Sequence, residues 1–142
     1  MNHADTIINE LKKLAREEDN LAVLWLYGSR AKGTAQANSD FDMAVAFNSF
    51  PHDEWEKRLQ PELLQQRWSD RLQPLLMRGA DEAGPLALSV VDINHIPLPL
   101  AYSIVRDGQP LLVKDAMRLY REEHRIRSMW EVDYLWHEQH YG

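Results

Sequence analysis

Apolar positions set the first divisions of the chain. Ile7, Ile8, Leu11 and Leu14 recur at helical spacing with charges between them, which predicts an amphipathic helix over residues 4–18. Asp19-Asn20 ends that pattern. The continuous apolar run Leu21-Ala-Val-Leu-Trp-Leu-Tyr27, closed by Gly28, reads as a strand buried on both faces. Ser29 to Lys32 can make one helical turn stopped by Gly33, and the polar Thr34–Ser39 suits a loop. Asp40–Phe47 alternates before turning apolar, a second strand.

Pro51 opens a helical stretch with Trp55 and Leu59 four apart, and Pro61 is expected to restart it as a new helix carrying Leu64, Trp68, Leu72 and Leu75 or Leu76. Gly84-Pro85 marks a turn before a third strand, Leu86–Ile93, which contains Asp92. A short helix over Pro97–Val105, a turn at Asp107-Gly108 and the apolar Leu111-Leu-Val113 follow. From Asp115 a charged amphipathic helix runs close to the C-terminus. Helices alternating with a few strands predict an α/β fold with a small mixed sheet flanked by helices.

Composition narrows the class. The 142 residues fit a single domain, 1–142, with 115–142 a C-terminal helical extension. The absence of cysteine excludes disulfides and thiolate metal sites. No run approaches the roughly 20 apolar residues of a membrane span, and the first residues lack the pattern of a signal peptide, so a cytoplasmic location is expected. A net charge of −6 argues against direct nucleic-acid binding, because a phosphate backbone is normally met by a basic face. A single nucleotide is compatible, since a few basic groups and a metal ion neutralise its phosphates.

Candidate chemistry gathers in Tyr27-Gly-Ser-Arg-Ala-Lys-Gly33 and Asn38-Ser-Asp-Phe-Asp42. Gly28 at a strand end permits a sharp turn and a close approach to a ligand. The following turn offers N–H groups to an anion, Ser29 adds a hydroxyl, and Arg30 and Lys32 add positive charge. Asp40 and Asp42, two apart, leave one face of a strand, and two carboxylates that close repel unless a cation lies between them. Hard oxygen ligands favour Mg²⁺. A two-metal site needs a third carboxylate, and Asp92 at the end of another strand is the candidate.

Gly28-Ser29, ten residues, then Asp40-x-Asp42 resembles the motif of the polymerase-β-like nucleotidyltransferase superfamily. The third acid in Leu88-Ser-Val-Val-Asp92 is similar to that family's later strand. Asp92-Ile-Asn-x-x-Pro-Leu-Pro-Leu100 and Ile104-Val-Arg-Asp-Gly108 resemble the minimal nucleotidyltransferases, the antitoxin halves of bacterial HEPN/MNT pairs; the likeness spans residues 20–115. The resemblance implies transfer of AMP from ATP to a tyrosine of a cognate HEPN-family RNase toxin, within a hetero-oligomer. It also implies roles: Ser29 on the terminal phosphates, Asp40 and Asp42 on two Mg²⁺ ions, and Asp92 as third ligand and base. Two other readings compete: an antitoxin that works by occluding its partner, and transfer to a small molecule such as an aminoglycoside.

Other features have plainer explanations. His124, His137 and His140 lie at solvent-facing spacings on a charged helix. Trp25, Trp55 and Trp68 are expected to face the core. Ile126, Met129, Trp130 and Trp136 can share a stripe beside Tyr134 that packs on the sheet, or else forms a partner-binding face. Arg118, Arg121, Arg125 and Arg127 are either solvated or the rim of such a face.

Overall fold

The computed structural model describes residues 2–78 and 84–140. Along the chain lie α1 (His3–Glu17), β1 (Leu21–Tyr27), α2 (Ser29–Lys32), β2 (Phe41–Phe47), α3 (Glu54–Arg78), β3 (Leu88–Asp92), α4 (Leu98–Asp107), β4 (Gln109–Val113) and α5 (Ala116–His140). The four strands form one sheet in the order β3-β2-β1-β4. β1 runs antiparallel to both β2 and β4, and β2 runs parallel to β3, so the sheet is mixed as expected.

Alternation along the strands divides the core into two layers. Leu24, Leu26, Phe41, Met43, Val45 and Val90 meet Ile7, Leu11 and Ala15 of α1 and Leu64, Trp68, Leu72 and Leu76 of α3. On the other face Trp25, Ala44 and Ala46 meet Ala101, Ile104 and Val105 of α4 and Ile126 of α5. β1 is buried from Leu21 to Leu26 because helices cover both faces, which is why its sequence is apolar throughout. β4 is an edge strand, where Pro110 lacks only a ladder bond that an edge leaves free.

Helix ends follow local chemistry. The Asn2 side chain accepts the Asp5 N–H at the start of α1. At α3 the Asp53 carboxylate accepts the N–H groups of Trp55 and Glu56, so Asp53, and not Pro51, sets the start.

Two expectations are corrected here. Pro61 does not restart the helix: α3 runs unbroken through both Pro61 and Pro74. An interior proline costs about 3 kcal/mol, but Leu64, Trp68, Leu72 and Leu76 are all buried, each contributing about 1.5–3 kcal/mol. Keeping that stripe in register outweighs the missing bonds. Trp55, at the first turn of α3 and before the stripe reaches the sheet, is 68% exposed instead of facing the core.

The C-terminal stripe divides. Ile126 is buried, and the Trp130 ring stacks on Tyr102 of α4 at 4.5 Å. Beyond that stack every residue from 131 to 140 is exposed, with Val132, Tyr134, Leu135 and Trp136 presenting large apolar surface, as does Met129. His124, His137 and His140 are exposed. Among the described residues, no helix is long and apolar enough to cross a membrane.

Candidate active site

The end of the sheet where β1 finishes and β2 begins is built around Gly28. Its φ of 72° lies in the region that favours glycine, and a Cβ there would sit 2.5 Å from Oδ2 of Asp42. The missing side chain therefore lets the Asp42 carboxylate close against the backbone at the mouth of the turn. The Gly28 carbonyl accepts the N–H groups of Ala31 and Lys32, and Gly33 closes the turn in the left-handed region at φ 76°. The first N–H groups of such a turn have no partner inside it.

Asp42 stands on β2 directly opposite Tyr27 of β1, and Asp40 immediately precedes the strand. Burial, and behind it the charge of Asp40, push the Asp42 carboxyl above its ordinary value. Asp40 thus lies close enough for its charge to oppose ionisation of Asp42. A divalent cation relieves that repulsion, so this pair fits Mg²⁺ by charge and by donor type. Among the described residues no group of three or more His, Cys, Asp or Glu side chains is arranged to hold a metal.

Asp92 is where expectation and structure part. It ends β3 opposite Val45, three residues beyond Asp42 along β2, and so by alternation on the opposite face of the sheet. At about 3.3 Å per residue the offset is roughly 10 Å. The side chain is buried and engaged there: Oδ2 meets Nδ1 of His95 at 2.8 Å, and Oδ1 accepts the Asn94 N–H at 2.9 Å. Asp92 caps the turn after the strand, and the structure does not bring it to Asp40 and Asp42.

The β3 residue that does lie opposite Asp42 is Ser89. Tyr27, Asp42 and Ser89 form a row across three strands on one face. Burial, and behind it the charge of Asp42, raise the Tyr27 pKa, and the neighbouring Ser89 side chain partly opposes that rise. Neither Tyr27 nor Ser89 was singled out by the sequence pattern. Strand alternation already separates Ser89 from Asp92, but choosing between them needs the register of β2 against β3.

The two cations of the turn differ in what they meet. Arg30 donates from Nη2 to the Ser39 carbonyl at 2.7 Å and from Nε to the same oxygen at 3.2 Å, and its guanidinium lies 4.1 Å over the Phe41 ring. It holds the loop that delivers Asp40, and so is turned to protein rather than to an open anion site. Lys32 is exposed, and its charge joins the Arg106 hydrogen bond in lowering the Asp107 pKa. Gln109 ties β4 to this turn through a bond from Nε2 to the Ala31 carbonyl at 2.9 Å.

Residues 9–117 match the model of the polymerase beta, nucleotidyltransferase family. The chain belongs to that family. No curated protein matches it in sequence. Among solved structures, a chain of a toxin–antitoxin complex with AMP-PNP is similar over 93% of each chain, with a TM-score of 0.68 and 21% identity. A chain of the tri-AMPylated Shewanella oneidensis HEPN toxin in complex with MNT antitoxin is similar over 95% of this chain and 92% of its own, with a TM-score of 0.64 and 18% identity. A chain of the MntA–HepT toxin–antitoxin is similar over 95% and 93%, with a TM-score of 0.65 and 18% identity. At these identities the likeness is one of fold. This nucleotidyltransferase shares the polymerase-β-like architecture, with Gly28, Ser29, Asp40 and Asp42 gathered at one end of its sheet.

Proposed function

We propose that this nucleotidyltransferase is the antitoxin of a toxin–antitoxin pair and moves AMP from ATP to a tyrosine hydroxyl of a HEPN-family RNase partner, silencing it in the cytoplasm. The observation that carries the reading is the Asp40/Asp42 pair set against the Gly28-Ser29 turn in a chain of the nucleotidyltransferase family. Support for nucleotide and acceptor comes from the fold relatives, one with AMP-PNP and one with a tri-AMPylated HEPN toxin.

In this reading the backbone of the Gly28 turn and the Ser29 hydroxyl hold the triphosphate, with Lys32 adding charge at its edge. Arg30 acts from behind by holding the loop that carries Asp40. Asp40 and Asp42 would bind Mg²⁺, which supplies charge neutralisation at the phosphates and acidifies the attacking hydroxyl. The acceptor oxygen bonds to the α-phosphorus while the bond to the bridging oxygen of the β-phosphate breaks. Pyrophosphate leaves with that electron pair, and the hydroxyl proton passes to a base.

The test is direct. Incubating the chain with its HEPN partner, Mg²⁺ and ATP labelled in the α-phosphate should label the partner. Asp40→Ala with Asp42→Ala should reduce labelling by at least on the order of 10³-fold. Equal labelling by the double variant rejects the site.

A second reading is favoured by one observation, the exposed Met129, Val132, Leu135 and Trp136 of α5. Such apolar surface suits a partner interface, through which the chain could neutralise its partner by occlusion alone. Under that reading the double Asp variant still suppresses toxicity in cells. Lost suppression with the complex retained excludes it.

A further inference from the structure

Two carboxylates face the nucleotide end of the sheet, and the β3 position beside them carries a hydroxyl. Building on the transferase reading, we propose that Ser89 occupies the third-ligand position of the Asp40/Asp42 site. The free chain then holds a single divalent cation, and a second ion enters only with the phosphates of the nucleotide.

Three observations carry this. The parallel register sets Ser89 opposite Asp42, so a side chain from β3 that reached this carboxylate would come from position 89. Asp92, the nearest acid on the same strand, is three residues away, on the other face, and bonded to His95 and Asn94. Among the described residues no third acid or histidine joins the pair.

Charge then decides the count. Two carboxylates balance one divalent ion, and a second ion would meet a site with no net negative charge left to hold it. A neutral hydroxyl at position 89 does not change that balance. The triphosphate restores the missing charge. Mg²⁺ is commonly held in this way, by one or two carboxylates plus substrate phosphates.

Ser89 adds no charge at that position and leaves occupancy of the second metal position to the nucleotide. The site arms itself only when ATP is bound.

The proposal is tested by counting ions. Mn²⁺ is titrated into the chain and the free ion followed by electron paramagnetic resonance, without nucleotide and then with AMP-PNP. One bound ion per chain alone and two with AMP-PNP are expected. Ser89→Asp should tighten binding on the order of tenfold and admit the second ion without nucleotide. Ser89→Ala should leave the nucleotide-free count and affinity unchanged. Should Ser89→Asp not fold, the wild-type count and Ser89→Ala still decide.

Ser89→Asp behaving like the wild type, or lost affinity in Ser89→Ala, overturns the inference. Two ions on the free wild-type chain that vanish in Asp42→Asn overturn it while leaving the transferase reading standing. No bound ion under any condition overturns both.

Discussion

The two ends of the sheet treat their acids in opposite ways. At the end of Phe47 and Asp92, the buried acids Asp92 and Glu122 are matched. Glu122 receives Arg118 at 2.8 Å, Arg125 at 2.7 Å and the Asn94 amide at 3.0 Å, while Arg118 also donates to the Phe47 backbone carbonyl and to Oδ1 of the Asn94 side chain. That network pins α5 and the turn after β3 to the end of β2. At the Gly28 end, Asp42 has Asp40 as its electrostatic neighbour and glycine backbone against its carboxylate. Acids that hold the fold are paired within it, whereas the acids of the site are left to repel, a condition that a cation relieves.

Substitutions at three positions probe the contrast, in decreasing order of expected effect. Gly28→Ala forces an unfavourable backbone and drives a methyl group at Asp42. Transfer should fall on the order of 100-fold, as misplaced reacting groups do, with about 1–2 kcal/mol of stability lost. Steady-state labelling and urea melts separate the two; unchanged labelling would mean that Asp42 does not need its place against the turn.

Glu122→Ala should act on stability instead, lowering it by about 2–4 kcal/mol because Arg118 loses a buried partner. Folded protein should retain its transfer rate. The same residue predicts a pH effect. Burial pushes the Glu122 carboxyl up, but the bonds from Asn94, Arg125 and Arg118 outweigh it and hold the pKa below its ordinary value. Its contribution is therefore complete above the ordinary glutamate value and disappears as pH falls through the lowered one. Glu122→Gln should flatten the acid limb of the stability curve, measured by urea melts across that range.

Asp92→Asn marks the boundary between the two ends. Transfer should change by less than about threefold, under the tenfold that 1.4 kcal/mol represents. A loss as deep as that of the Asp40/Asp42 variant would return Asp92 to the site.

Much of the architecture was legible in the residues. The β1 run, the Gly28 turn and the Asp40-x-Asp42 spacing all follow from local pattern, and each sits where that pattern places it. The errors share one cause. Whether Pro61 ends a helix depends on what the residues after it bury, and whether Asp92 or Ser89 meets Asp42 depends on a pairing between residues far apart in the chain. Alternation assigns both β3 residues to faces, but no local feature says how β3 slides against β2. The Arg118–Glu122–Asn94 network was hidden for the same reason: Arg118 reads as solvated, or as the rim of a partner-binding face, until α5 is docked.

The parallel pairing of β2 with β3 also gives the site a history in time. β1 and β2 are antiparallel neighbours joined by the short segment 28–40, so Tyr27 and Asp42 meet through a local hairpin. Ser89 reaches Asp42 only after the chain has crossed over through α3, from Phe47 to Leu88. Long-range parallel pairings of this kind are slow to close, because chain entropy is lost before contacts repay it. A chain folding in this order meets Asp42 with Tyr27 through the local hairpin and adds Ser89 to the row only with the long-range β2–β3 pairing.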